Sequence, residues 1–256
     1  STKLNIQYIL SHGDTEITNE EKENFVYAAN RRKFGVPMAY LLGQKEFYGI
    51  DFYIDERALV PRPETELLVD FGLQALEHCA NPRGLDLGTG SGVVGISLIQ
   101  NHPTVVITAT DICSFALSLA AKNSRKVLSN QTRLKLKKSD WYSSILSTEK
   151  FDLIVSNPPY IRTGDVHLTK CALRFEPNLA LIGGLDGLFN IRAILEKAKN
   201  HLSKNGWVAV EHGFDQGEIC RSLFLQNGFT NLVQLKDLSG YIRLTAGQLE
   251  KDANKG

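Results

Sequence analysis

Phe151-Asp152-Leu153-Ile154-Val155-Ser156-Asn157-Pro158-Pro159-Tyr160 is the stretch on which the fold turns. Its first six residues make a short, nearly unbroken apolar run, the pattern of a parallel strand buried on both faces. A polar amide, two prolines and an aromatic follow directly. Two adjacent prolines neither continue a strand nor enter a helix interior, so the strand ends in a stiff loop with free carbonyls. In an open α/β sheet, ligands bind at the carboxyl ends of strands. Asn157 can offer its side-chain oxygen to a planar NH2 group, the Pro158 carbonyl can offer a second acceptor, and Tyr160 can lie flat against the group. The plainer alternative is a rigid turn with a surface tyrosine, and the tetrapeptide alone does not choose between them.

Outward from this strand, short apolar runs alternate with helical patterns. Strands are predicted at 84–87, 104–110, 133–137, 151–156 and 206–211, and helices near 92–101, 114–127, 187–203 and 215–226. That alternation predicts an α/β fold with a doubly wound, mostly parallel sheet. Thr230–Leu235 and Tyr241–Thr245 flank the turn Asp237-Leu238-Ser239-Gly240, so an antiparallel hairpin is expected to complete seven strands. Upstream, Thr18-Asn19-Glu20-Glu21 is a capping box opening a helix through Phe25, Ala28, Ala29 and Arg32, which Gly35 and Pro37 end. Residues 1–45 are thus expected to form a small helical lobe with too little apolar bulk for a core of its own. Residues 46–63 hold a β-hairpin around Gly49 (Glu46–Asp55) and a proline-rich linker, Val60-Pro61-Arg62-Pro63-Glu64-Thr65-Glu66, running into a helix whose apolar face is Leu67, Leu68, Phe71, Ala75 and Cys79. The main domain is expected at 64–246, with a frayed polar tail at 247–256.

Length and composition fit one large domain, or a full domain with a small one: 256 residues, 43% apolar, 22% charged. A net charge of +1 creates no field demanding nucleic acid or membrane. No apolar run has the ~18 residues of a membrane span, and no signal-peptide pattern opens the chain. Cys79, Cys113, Cys171 and Cys220 lack metal-ligand or redox spacing and are expected to be small core residues, which points to a reducing, cytoplasmic compartment. The histidines show no paired spacing, so no metal is expected.

Leu85-Asp86-Leu87-Gly88-Thr89-Gly90-Ser91-Gly92 lies where the first strand of the domain turns into a helix. Glycines there let a ligand approach the backbone. Gly90 to Gly95 also fits the dinucleotide pattern G-x-G-x-x-G, a weak signal alone. Asp86 tips the reading, because a carboxylate before the glycines would meet a pyrophosphate badly. It suits a cation, such as the sulfonium and amino group of S-adenosylmethionine; the plainer role is to bond loop N–H groups. Asp111, ending the second strand, can accept both ribose hydroxyls of an adenosine-type ligand or cap the next helix. After the third strand, Asp140 can accept from an adenine amino group and Trp141 can cover its ring, although a tryptophan there is also ordinary packing. Four strand ends of one sheet therefore carry ligand-like residues.

With these residues in place, the chain resembles the class I S-adenosylmethionine-dependent methyltransferases. More narrowly it is similar to the HemK/PrmC family, the protein-(glutamine-N5) methyltransferases of peptide chain release factors. The narrower likeness rests on Pro37–Gly43, Glu46-Phe47-Tyr48-Gly49, Val60–Glu66, Phe175-Glu176-Pro177, Asp186-Gly187-Leu188, Glu211-His212-Gly213 and Gln216-Gly217-Glu218, spanning about residues 35–245. The chain departs from the family at Gly240-Tyr241-Ile242-Arg243 and Leu181-Ile182-Gly183-Gly184, and matches only the end of its longer helical N-terminal domain. The resemblance implies a Rossmann-like fold and methyl transfer to a glutamine amide nitrogen. Asn157, Pro158 and Tyr160 would be catalytic, and Asn157, Pro158, Pro159 and Tyr160 would hold the substrate. S-adenosylmethionine would be bound by Asp86, Gly88, Thr89, Gly90, Ser91, Gly92, Asp111, Asp140, Trp141 and Asn157. Arg62 and Glu64 would line the substrate side or serve only as linker salt bridge and helix cap.

Three rival readings compete. An adenine-N6 methyltransferase of nucleic acid presents the same NH2 after base flipping but needs a phosphate-binding surface. Residues 1–46 carry six basic and six acidic side chains and offer none. One candidate patch is Lys122, Arg125, Lys126, Arg133, Lys135, Lys137 and Lys138, which also reads as a solvated helix and strand edge, or as a surface for an acidic protein. A nicotinamide oxidoreductase would leave Asp86 and Asn157–Tyr160 unexplained. A non-catalytic binding protein would leave the full set of site residues without a purpose.

Overall fold

Seven strands form the sheet: β3 (Arg83–Leu87), β4 (Val106–Asp111), β5 (Leu134–Lys138), β6 (Phe151–Ser156), β7 (Leu202–Glu211), β8 (Thr230–Lys236) and β9 (Ile242–Gln248). The computed structural model describes residues 11–169 and 171–249. The first ten residues of the expected lobe, the Cys171 side chain and the tail beyond Leu249 lie outside the described residues. The strand order is β5-β4-β3-β6-β7-β9-β8. The first five are parallel, and β9 pairs antiparallel with both β7 and β8. The chain winds outward from β3 to β5, then returns to the other side of β3 as β6. That reversal places the ends of β3 and β6 side by side at the topological switch point, where doubly wound sheets bind ligands.

Burial on both faces accounts for the apolar runs. Leu153, Val155 and Ala209 face one core with Leu68 and Phe71 of α3 (Glu66–Leu76) and Ile96 and Leu98 of α4 (Val93–Asn101). Ile154, Val208 and Val210 face the other with Ile191, Ile194 and Leu195 of α6 (Phe189–Ala198) and Phe224 of α7 (Gly217–Gln226). On α5 (Ser114–Val127), fully buried Asn123 bonds the Tyr53 N–H and carbonyl and the Ser91 carbonyl. It thereby joins the hairpin to the glycine loop.

That hairpin, β1 (Gln44–Phe47) and β2 (Ile50–Tyr53), is its own two-stranded sheet. Tyr48 and Gly49 both have positive φ, 53° and 71°, the turn that matches strand twist in two-residue hairpins. Phe47 and Phe52 are buried and meet edge to face, while the Tyr48 N–H donates to Glu66 and its hydroxyl to Asp70 on α3. The lobe before it has α1 (Asn19–Lys33), with the expected capping box at Thr18 and Glu21, and the short α2 (Met38–Leu42). No residue of α1 is buried; Val36 and Ala39 enter the core, and Arg174 donates to the Phe34 carbonyl.

Four expectations shift. The hairpin starts at Gln44, before the expected boundary at 46, because left-handed Gly43 ends α2 at once. The helix of the linker stops at Leu76, leaving Cys79 beyond it. The helix expected to reach 203 ends at Ala198, since Leu202 already pairs with Phe151 as the start of β7. Finally, residues 247 and 248 are strand, not frayed tail: Gly247 pairs with Val208 and Gln248 with Trp207. A Cβ on Gly247 would come within 2.9 Å of Phe224, Phe229 and Leu232, so packing over a glycine holds the polar end in place. Among the described residues no helix is long and apolar enough to cross a membrane.

Candidate active site

The loops after β3, β4, β5 and β6 converge on a cavity of about 560 Å³. Asp86 sits at its floor, 2% exposed. Its Oδ2 accepts from the Thr89 hydroxyl at 2.7 Å and from the Gly95 N–H in the first turn of α4 at 3.1 Å. Burial pushes its pKa up to about 6, against the pull of those two donors and with a further push from Asp111. Asp86 thus supports the glycine loop and still presents an incompletely compensated carboxylate to the cavity. Gly88 and Gly90 have φ of 71° and 56°, and a Cβ on Gly90 would meet only Ala58, at 3.9 Å. The backbone there is open to a ligand.

Asp111 Oδ2 accepts from the Gly90 N–H and its Oδ1 from the Cys113 N–H. Burial raises its pKa, opposed by these backbone donors. Helix α5 has Cys113 as its N-cap residue and no side-chain cap, so Asp111 braces the loop rather than capping the helix. Trp141 lies against Gly88. Its φ of 46° is rare for a bulky residue, and Ser139 holds the turn by donating to the Trp141 carbonyl and accepting from the Ser144 N–H. Asp140 is exposed at the cavity edge.

At the end of β6, the Asn157 NH2 donates to Thr65 Oγ1 at 3.0 Å, which turns its Oδ1 away from that partner. The loop that follows is anchored through its carbonyls: Asn190 donates to Pro159 at 2.8 Å and Gln216 to Tyr160 at 3.1 Å. Among the described residues no donor reaches the Pro158 carbonyl. The Tyr160 hydroxyl donates to Glu211 Oε1 at 3.2 Å, and burial, ahead of the neighbouring Glu211, raises its pKa. Gly183 and Gly187 press on the same loop. A Cβ on Gly187 would lie 2.4 Å from the Tyr160 carbonyl and 2.7 Å from Gln216 Nε2, with φ at 77°. Gly187→Ala is therefore expected to cost about 2–4 kcal/mol in chemical denaturation and to displace Tyr160.

The structure brings Asp86, Gly88, Thr89, Gly90, Ser91, Asp111, Asp140, Trp141, Asn157 and Pro159 to one cavity. Gly92, Pro158 and Tyr160 stand off its lining: Gly92 packs on Ile96 and Ala120, Pro158 is buried, and Tyr160 reaches Glu211. No sequence pattern pointed to Thr65, Asn190, Glu176 or Glu211 as site residues. The buried Glu176 accepts from the Val60 N–H and pairs with Arg62 at 2.5 Å, strapping the linker to the segment at 177–182 that walls the cavity. Arg62 therefore makes a linker salt bridge, while Glu64 adds repulsion to Glu211. The basic patch is partly spent: Lys122 and Lys126 lie over the Tyr53 ring, Arg133 binds carbonyls of His102 and Pro103, and Lys137 pairs with Glu149.

Comparison with known proteins bears on the family and the fold. The family model for the methyltransferase small domain matches residues 65–175. The release factor glutamine methyltransferase of Xylella fastidiosa is 39% identical over 241 residues, covering 94% of this chain and 86% of its own length. That of Neisseria gonorrhoeae is 40% identical over 244 residues, covering 95% and 88%. Among solved structures, the hMettl16 catalytic domain in complex with the MAT2A 3'UTR hairpin 6 has a TM-score of 0.65 at 14% identity, over 90% of this chain and 94% of that one. A methyltransferase from Pyrococcus furiosus has a TM-score of 0.57 at 17% identity, over 91% and 100%. At such identities these two show a shared fold alone, whereas the first two relatives match at 39–40% identity over 94–95% of the chain: the chain belongs to the release factor glutamine methyltransferase family.

Proposed function

We propose that the protein transfers a methyl group from S-adenosylmethionine to the side-chain amide nitrogen (N5) of a glutamine in peptide chain release factors, at their Gly-Gly-Gln loop. Family membership supplies the reaction, and one observation carries it to these residues: Asn157 has its NH2 engaged by Thr65, leaving Oδ1 as an acceptor at the cavity that holds Asp86 and Asp111. The cavity fits the cofactor chemically. A buried carboxylate with a raised pKa wants a cation, Asp111 suits hydroxyls, and the glycine loop is open to close approach. An anionic pyrophosphate would face two carboxylates.

Bound S-adenosylmethionine supplies an electrophilic methyl group. The glutamine nitrogen is a poor nucleophile, because its lone pair is delocalised into the carbonyl. Acceptors on both amide hydrogens hold the group and enrich the nitrogen. Asn157 Oδ1, at the cavity, is one; the second is assigned to the Pro158 carbonyl, which stands off the cavity lining but accepts from no donor among the described residues. Tyr160, tethered at both its hydroxyl and its carbonyl, gives the loop a fixed wall. Catalysis is then chiefly positioning with electrostatic help. The adenine-N6 reading presents the same NH2, but Lys122, Arg133 and Lys137 of its candidate patch already have partners.

The test is mass spectrometry of release factors incubated with enzyme and S-adenosylmethionine. One methyl group on the glutamine of the Gly-Gly-Gln loop is expected. Transfer to adenine in DNA or RNA, with none to glutamine, would reverse the assignment.

A further inference from the structure

Asn190, in the first turn of α6, is 9% exposed and lines the cavity. Its NH2 donates to the Pro159 carbonyl at 2.8 Å and to the Ile182 carbonyl at 3.4 Å. A main-chain carbonyl carries no proton and can only accept. The two carbonyls therefore hold the amide one way round, with NH2 towards them and Oδ1 away. Among the described residues nothing donates to that oxygen. Nor is it sealed inside the core: the enclosed side-chain atoms without partners are Ser97 Oγ, Thr110 Oγ1, His201 Nδ1, Glu211 Oε2 and Arg243 Nε. A fixed acceptor thus stands at the cavity wall with its lone pairs unused.

The strand order says what kind of donor it meets. Asp86 and Asp111 stand at the ends of β3 and β4, and Asn157 follows β6. Helix α6 packs over β6 and β7, with Ile191 and Ile194 in one core with Ile154, Val208 and Val210. Asn157 therefore lies between Asn190 and the carboxylates that suit the cofactor, and Asn190 belongs to the substrate side. Leu179 and Phe189, both exposed, line the same cavity. A main chain passing such side chains comes within hydrogen-bond reach of Asn190 where it has no bulk of its own, as at two consecutive glycines.

We propose that Asn190 Oδ1 binds substrate by accepting a main-chain N–H of the segment that carries the target glutamine. The proposal rests on the glutamine reading of the site. Asn157 holds the side-chain amide, and Asn190 holds the backbone from which that side chain leaves. Two fixed acceptors, one for each, set how deep the glutamine enters. A nucleobase offers no main-chain N–H and gains nothing from the second.

Release factors assembled by peptide ligation, each with one ester in place of a main-chain amide in the Gly-Gly-Gln loop, test this. The ester removes one N–H and keeps every side chain. With the wild-type chain, one ester position is expected to raise KM about 5–20-fold, the worth of one hydrogen bond, with Kd for S-adenosylmethionine within about threefold. Asn190→Leu should raise KM for the all-amide substrate by a similar factor and show no further rise with that ester. Loosening of the Pro159 loop by the substitution acts on both substrates alike and drops out of the comparison. Asn190→Ala, which cannot overfill the site, should repeat the result. Ester costs equal in wild type and variants at every position would overturn the proposal and leave Asn190 a staple between two loops, with the glutamine reading intact. If the wild type methylates no glutamine in the all-amide release factor, the glutamine reading itself fails, and the Asn190 contact with it.

Discussion

Asn157→Ala is expected to lower kcat for glutamine methylation by about 10²–10³-fold, the usual loss when one fixed polar contact to the reacting group is removed. The Kd for S-adenosylmethionine should stay within about threefold. The substitution deletes the acceptor Oδ1 and leaves the rest of the loop anchored, because Asn190 and Gln216 hold the Pro159 and Tyr160 carbonyls independently. Losing the bond to Thr65 costs about 1 kcal/mol of stability, too little to unfold the domain. Single-turnover kinetics and titration calorimetry on the same preparation separate the two quantities. Intact single-turnover transfer with weakened cofactor binding would remove Asn157 from the catalytic role and leave it only the cofactor-binding role that the resemblance also implies.

The second large effect concerns Asp86 and pH. Its folded pKa, about 6, lies above the ordinary 3.8. The folded state therefore holds the proton more tightly than the unfolded chain does. This contribution to stability is fully present below pH 3.8 and is lost as pH rises through 6, a swing of ~3 kcal/mol in the protein without ligand. A cationic ligand binds the ionised form and offsets the loss. Affinity for S-adenosylmethionine should then be flat above pH 7 and fall up to about tenfold per pH unit below pH 6. Asp86→Asn should flatten that profile and weaken binding at pH 7.5 by about 100-fold, while the unliganded melting temperature at pH 7.5 holds or rises. Equal affinities of wild type and variant across pH 5–8 would leave Asp86 with its bonds to Thr89 and Gly95 as its whole purpose.

The sheet was legible because every inner strand is buried on both faces, and a continuous apolar run as short as Leu153–Val155, bounded by turn residues, fits a doubly covered strand better than a helix. Where the reading slipped, packing between distant segments decided. The end of β9 is polar by composition, yet Gly247 is fixed by Phe224 and Phe229. Leu202 reads as a helix residue until Phe151 pairs with it. The candidate site divides in the same way. Asp86 and Asp111 lie at the ends of strands and Trp141 and Asn157 come just after strands, so local pattern finds them. Thr65 and Asn157 are 92 residues apart, and Tyr160 and Glu211 are 51 apart, so only the fold shows that they work together. An acidic residue ending the apolar run at 207–211 was the available hint, and its burial gives it meaning.

Strand β9 lies between β7 and β8, and among the described residues β8 pairs with no other strand. Strand β8 precedes β9 in the chain, so its pairing partner follows it in sequence. Until β9 follows, β7 presents an open edge whose Val208 and Val210 side chains belong in the core, a surface prone to wrong pairing. This flank of the sheet is therefore completed only when β9 inserts between β7 and β8, while the β3 to β6 half that carries the cofactor loops pairs without it.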